Sequence, residues 1–293
     1  MKFNTFLLIL ITSLQLAAGA TPPLQALKAR LKAANPKLSA LQIEYTYHEK
    51  GGILKLCAPG ELSNLKPLAD TTLSITHLNI ANNGILSDLS PLADLPLTKL
   101  EAHGNSIADL TPLSNMKLEY LSLGGNKRIH DLTPLSKLPL KELYLPGTNV
   151  ANLLPLKNMN LKVLWLTDTK VRSLKPIAAC PIEHIAVSGE QTPFFYQLNT
   201  KGLKKLTIFD ASELSWIKGL KVECLDISKC PAVKSLHPVM QCPNLKKLHI
   251  KKVEYNLEFL KEHPVLQTVT WFENGHKVFY DLEKKSQKVL HYL

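Results

Sequence analysis

A chain of 293 residues that is 45% hydrophobic and 20% charged can bury a sizeable core, which excludes wholesale disorder. Aromatics at 6% together with 19 prolines exclude a coiled coil or another long-helix protein. The formal charge of +11 is too diffuse to mark a nucleic-acid binder, and five cysteines without a C-x-x-C or zinc spacing leave at least one thiol unpaired in a monomer.

The chain opens with the pattern of a secretion signal. Lys2 gives a positive start, Phe6 to Leu16 is nearly unbroken apolar sequence, and Ala18-Gly19-Ala20 offers a small-x-small cleavage pattern before Thr21. The apolar run is shorter than the roughly 20 residues of a membrane span, so a cleaved signal over 1–20 is expected rather than a retained anchor. Thr21, with no cysteine nearby, excludes a lipoprotein anchor at this site. No later segment is apolar enough to cross a bilayer. The expectation is an exported protein, secreted or periplasmic, in a compartment that permits disulfides.

An N-terminal cap is predicted over 21–50. Leu24, Leu27 and Leu31 share one face of a helix from Pro22 to Ala34, and Leu41 to Tyr47 alternates like a strand. Glu49 to Gly52 then turns the chain back toward Leu54. From 51 to 274 the chain is repetitive. Leu97, Leu100, Ala102, Asn105 and Ile107 set a pattern that Leu118, Leu121, Leu123 and Asn126 repeat, and that returns at Leu140 and Leu161. Repeat starts fall at Ile75, Leu97, Leu118, Leu140, Leu161, Ile182, Leu203, Val222, Leu245 and Leu266, in steps of 19 to 23 residues.

These motifs resemble the leucine-rich repeat family, specifically its short bacterial, internalin-like form. Asp88–Leu92, Asp109–Leu113 and Asp131–Leu135 read D-L-x-P-L, a pattern similar to planctomycete-type arrays, and Asn152–Leu156 and Ser173–Ile177 carry it with drift. Those arrays are often fused to kinase domains, but no kinase signature exists in this chain. The resemblance implies an α/β solenoid with a curved parallel sheet on its concave side and short 3₁₀ or irregular turns on its convex side. It also implies that Asn83, Asn105 and Asn126 turn inward to bond the backbone of adjacent coils, with Thr148, Thr169 and Cys230 taking that place later.

The physics of one repeat fits this reading. In L-x-L the leucines point inward and the intervening residues face the concave side. One repeat cannot bury its leucines alone, whereas stacked neighbours bury them in a column. Ser90-Pro91, Thr111-Pro112 and Thr133-Pro134 are expected to start the convex turns as hydroxyl caps followed by proline. The pattern weakens after Ile182, where position nine becomes Glu190 and then Ala211. Thr192-Pro193 is still expected to cap that variant coil, with Phe194, Phe195 and Tyr196 filling the core or wrapping the convex side. Asn274-Gly275, flanked by alternating runs, signals a hairpin, so 275–293 is read as a C-terminal cap rather than a Lys-rich disordered tail.

No catalytic motif is present: there is no phosphate loop, no G-x-S-x-G and no H-E-x-x-H. The histidines lack metal-ligand spacing. The Asp88, Asp109 and Asp131 column is read as capping backbone N–H groups rather than binding calcium. No metal or cofactor is expected, and no enzyme. Cys180, Cys224, Cys230 and Cys242 cluster late in the array, either with a disulfide within 224–242 or as buried free thiols.

Function is therefore expected on a surface. Concave positions three, five and seven are not needed by the core. Tyr144 and Trp165 share position five on adjacent strands, a solvent-facing pair whose side chains should lie about 5 Å apart at the base. Together with Tyr120, Glu142, Val163, His184 and Phe209 they form the predicted protein-binding site, unless the rings serve only to stack on one another. The alternative is an anionic glycan or envelope polymer held by Lys205, Lys247 and Lys251, near Lys204, Lys246 and Lys252. A purely structural envelope component is the third reading. The protein partner is unnamed by the sequence, and nucleic acid is not expected.

Overall fold

The computed structural model describes residues 22–48, 51–58, 60–251, 257–273, 276–282 and 286–290. The proposed signal segment, Glu49-Lys50, Lys252 and the Asn274-Gly275 turn lie outside the described residues.

Helix α1 (Pro22–Ala34) starts on two prolines, whose fixed φ suits a first helical turn. It buries Leu24, Leu27 and Leu31 against the first coil. Asn35 fixes its end: the side-chain amide donates to Leu31 O and Asn64 O at 2.8 and 3.0 Å, and its oxygen accepts from the Ser63 and Asn64 N–H groups. Strands β1 (Gln42–His48) and β2 (Gly51–Cys57) pair antiparallel, and a one-turn helix, α2 (Lys66–Ala69), follows.

Ten further strands then stack in parallel on β2. They are β3 (Ile75–Asn79), β4 (Lys99–Glu101), β5 (Tyr120–Ser122), β6 (Glu142–Tyr144), β7 (Val163–Trp165), β8 (His184–Ser188), β9 (Lys205–Phe209), β10 (Cys224–Lys229), β11 (Lys247–Ile250) and β12 (Thr268–Glu273). Strands β13 (His276–Asp281) and β14 (Ser286–Leu290) fold back antiparallel. Among the described residues all fourteen strands form one sheet in sequence order. Each step returns the chain to the next strand position, which is the topology of a solenoid.

The core is a set of aliphatic columns. Leu100, Leu121, Leu143, Leu164, Ile185, Leu206, Leu225 and Leu248 lie side by side in register, all with no exposed surface. Burying each contributes roughly 1.5–3 kcal/mol. The asparagines run beside them. Asn105 donates to Ile80 O and Ala102 O, each at 2.9 Å, and accepts from Asn83 N at 3.1 Å, so one side chain joins adjacent coils. Thr148 and Thr169 reach only a carbonyl of their own coil, Leu145 O and Leu166 O, and the Cys230 thiol donates to Ile208 O.

Two expectations are corrected here. The convex turns are 3₁₀, but their hydroxyls do not cap them. Asp88, Asp109 and Asp131 accept from the N–H two residues on, each at 2.8 Å, and Asn152 and Glu213 do the same later. An acid held there by backbone and hydroxyl donors ionises more readily, and the Thr111 and Thr133 bonds push Asp109 and Asp131 below the usual carboxylate range. In the variant coil, Gln191 rather than Glu190 occupies the inward place. It accepts from Ser188 N and donates to Thr169 O, while Glu190 pairs with Arg172 on the surface. The 3₁₀ segment Gly189–Gln197 thus begins ahead of Thr192, whose hydroxyl only donates to Gly189 O. Phe195 is buried, Phe194 packs on the core and Tyr196 is 83% exposed. All five cysteines are free thiols, with Cys180, Cys230 and Cys242 buried.

Candidate functional site

The concave wall is built from alternate strand residues that the columns leave over. Strand registry places Tyr120, Glu142, Val163, His184 and Lys205 in one row across β5–β9. The next row runs Ser122, Tyr144, Trp165, Ala186, Thr207. Rings from the two rows interlock. Tyr120 and Tyr144 have centroids 5.1 Å apart, and Tyr144 and Trp165 5.5 Å. Trp165 meets His184 edge-on at 5.9 Å and Phe209 at 6.3 Å. Trp165 spans to Phe209, two strands away, because only the Ala186 methyl stands beside it on β8.

The result is a strip of rings rather than an isolated pair. Tyr120, Tyr144, Trp165, His184 and Phe209 are all half-buried, since each covers part of its neighbour. The solvent-facing rings expected for Tyr144 and Trp165 are therefore partly shielded. Glu142 supports the strip by accepting from the Tyr144 hydroxyl at 2.8 Å. Val163 lies between Glu142 and His184 without joining the rings. The Trp165 Nε1 atom is buried and has no hydrogen-bond partner among the described residues.

Burial fixes the protonation of this surface. It pushes the Tyr120 phenol up to about 12, helped by Glu101 and Glu142, and raises Tyr144, whose hydroxyl also donates to Glu142. Burial takes the His184 imidazole down to about 4, with Lys205 acting in the same direction against Asp226. At neutral pH the strip is uncharged, with Glu142 at its margin.

The sequence reading missed what lies at the N-terminal end of the strip. Glu101 accepts from His77 Nε2 at 3.0 Å, Asn79 Nδ2 at 2.9 Å and Lys99 Nζ at 2.9 Å. Burial opposes its charge, but the Lys99 and His77 bonds outweigh that and hold the carboxyl below its ordinary range. Lys99 also sits 4.3 Å over the Tyr120 ring, so a polar hub leads directly into the aromatic strip. The coil spacing places His77 and Glu101 on adjacent strands, but their contact is a diagonal reach that repeat position alone does not specify.

The lysine patch is redistributed. Lys204 pairs with Glu183 at 2.6 Å and Lys246 with Glu223 at 3.2 Å, in a ladder across the N-terminal ends of the strands that also contains Glu119–Lys141 and Lys162–Glu183. These lysines are offset by acids and do not reinforce the patch. Lys205, Lys247 and Lys251 make no ion pair among the described residues, and Lys277 joins them from β13. Among the described residues no group of three or more His, Cys, Asp or Glu side chains could hold a metal ion.

No family model matches this chain, and no curated protein matches it. Solved structures do. The chain is similar to an internalin, InlF, of Listeria monocytogenes at 23% identity and a TM-score of 0.52, over 75% of this chain and 66% of that one. It thus spans just under two thirds of that internalin's own length. Internalin C2 of the same organism aligns at 21% identity and a TM-score of 0.43 over 74% of this chain and 80% of that one. The functional domain of InlJ, also from Listeria monocytogenes, aligns at 17% and 0.39 over 72% and 55%. The likeness to InlF shows the fold, and with the repeats and sheet order it makes this chain a leucine-rich repeat solenoid.

Proposed function

We propose that this chain is an exported, non-catalytic leucine-rich repeat protein that captures a protein partner on its concave face. The observation that carries the reading is the continuous ring strip from Tyr120 to Phe209. Its rings sit on positions that the aliphatic columns do not use, on a rigid sheet, and they lose little side-chain entropy on contact. Tyr144 and Trp165 are the proposed anchors, Tyr120 and Phe209 extend them, and Glu142 and His184 supply polar edges. Val163 adds apolar surface at the strip's base. Export rests on the apolar N-terminal segment and its cleavage pattern. Among the described residues no helix is long and apolar enough to cross a membrane.

The test is a pull-down from envelope and secreted fractions of the source cells with the mature protein as bait. Tyr144→Ala with Trp165→Ala should remove the captured partner while circular dichroism shows an intact fold. Equal capture by a folded double variant would reject the reading and leave the rings a purely structural role.

A further inference from the structure

Beyond the aromatic strip, the last four concave strands form a grid. Its first row is Lys205, Cys224, Lys247 and Thr268, and its second is Thr207, Asp226, His249 and Thr270. By repeat position the third runs from Phe209 through Ser228 and Lys251 to Phe272. Between Asp226 and Lys229, β10 carries one residue more than β9, a bulge that breaks the ladder beneath this third row. A cleft of about 610 Å³ opens there between Phe209 and Phe272, lined also by Asp210, Ser228, Lys229 and Lys251. A second hollow of about 190 Å³ shares Ser228 and Phe272 with it and reaches Lys205, Asp226, His249 and Lys277.

Three chemistries converge on this second hollow and its rim. The first is unneutralised positive charge. Lys205, Lys247 and Lys277 form no ion pair among the described residues, yet the fields of all three reach both Cys224 and His249. The second is a carboxylate inside the lysine group. Asp226 Oδ1 accepts from the Ser228 N–H and hydroxyl at 3.0 and 2.7 Å, and no ion pair engages the carboxylate among the described residues. The third is a flat apolar surface, since Phe272 is 59% exposed. Lysines select an anion, a carboxylate beside them selects a hydroxyl donor, and an exposed ring selects a C–H face. One class of ligand carries all three. An acidic peptide such as hexaglutamate would satisfy the lysines but offers no hydroxyl to Asp226 and no ring face to Phe272. A neutral sugar would leave the lysines unused.

We infer that the C-terminal end of the concave wall is a second binding site, which takes an acidic oligosaccharide across the two hollows that meet at Phe272. Its anionic groups pair with Lys205, Lys247 and Lys277, a ring hydroxyl donates to Asp226, and a sugar face stacks on Phe272. The site meets the aromatic strip at Phe209 but does not depend on Tyr144 or Trp165.

Calorimetric titration of the intact protein with a galacturonate hexamer and a heparin-derived hexasaccharide tests this, with maltohexaose and hexaglutamate as controls. At least one acidic saccharide should bind. Raising salt from about 50 to about 200 mM should weaken it roughly tenfold, as expected for a few ion pairs. Phe272→Ala should weaken it about five- to tenfold through lost stacking. Lys205→Gln with Lys247→Gln, and separately Asp226→Asn, should weaken it in proteins whose circular dichroism is unchanged. Tyr144→Ala with Trp165→Ala should leave it intact, which separates this site from the proposed protein-binding one. The inference is overturned if neither acidic saccharide binds, if hexaglutamate or maltohexaose binds as tightly, or if Phe272→Ala has no effect.

Discussion

Asn105→Ala isolates what holds one coil to the next. The side chain is 6% exposed and makes three well-formed bonds, to Ile80 O, Ala102 O and Asn83 N. The two carbonyls would not be orphaned, because Ile80 O also accepts from Asn83 Nδ2 and Ala102 O from Asn126 Nδ2. The Asn83 N–H would lose its acceptor inside the solenoid. An abandoned buried donor costs about 1–3 kcal/mol, and the lost bonds add about 1 kcal/mol more, giving roughly 3 kcal/mol. For a domain of this size that is a fall in melting temperature of about 6–12 °C. Thr148→Ala is the internal control. Its hydroxyl makes a single bond, to Leu145 O in its own coil, and that carbonyl keeps the Thr148 N–H. The expected cost is about 1 kcal/mol, or about 2–4 °C. Thermal melts by circular dichroism on both variants decide the matter. Equal shifts would refute the claim that asparagine, unlike threonine, ties adjacent coils together.

Leu143→Ala, at a site with no exposed surface between Leu121 and Leu164, should cost about 3–5 kcal/mol in urea unfolding. Acid should weaken the fold through its buried histidines. His263 donates from Nε2 to Cys242 O and accepts at Nδ1 from Leu266 N, so protonation at Nδ1 removes a bond. Burial lowers the pKa of His263 and takes His184 to about 4, both below the unfolded value near 6.5. The unfolded chain then binds more protons, so stability is full above about pH 6.5 and falls as pH drops toward 4. Melts across that window should show the decline, and His263→Gln should reduce it while leaving the His184 part. Native thiol labelling should be slow at Cys230 and Cys242, where burial raises the thiols to about 11, and faster at the half-buried Cys57; all five should react in denaturant.

The sequence makes the strand columns legible because two signals coincide: a period of two within L-x-L and a spacing near 21 between coils. The ring strip was half legible. Tyr144 beside Trp165 follows from shared repeat position, whereas the reach of Trp165 over Ala186 to Phe209 depends on side-chain directions that a repeat alignment does not carry. Other features were hidden by local geometry. β8 runs on to Ser188, and the inward place passes from Glu190 to Gln191. Lys277 reaches the smaller C-terminal hollow only because β13 folds back antiparallel on β12, opposite Phe272. The pairing of Lys204 and Lys246 with acids one coil away could have been read from repeat position two.

Affinity capture with wild-type and Tyr144→Ala/Trp165→Ala baits, run side by side and quantified by mass spectrometry, probes the functional account most directly. The account predicts a defined protein species on the wild-type bait that falls at least tenfold on the variant, with both baits equally folded. Identical captured species at identical yield on the two baits would contradict it.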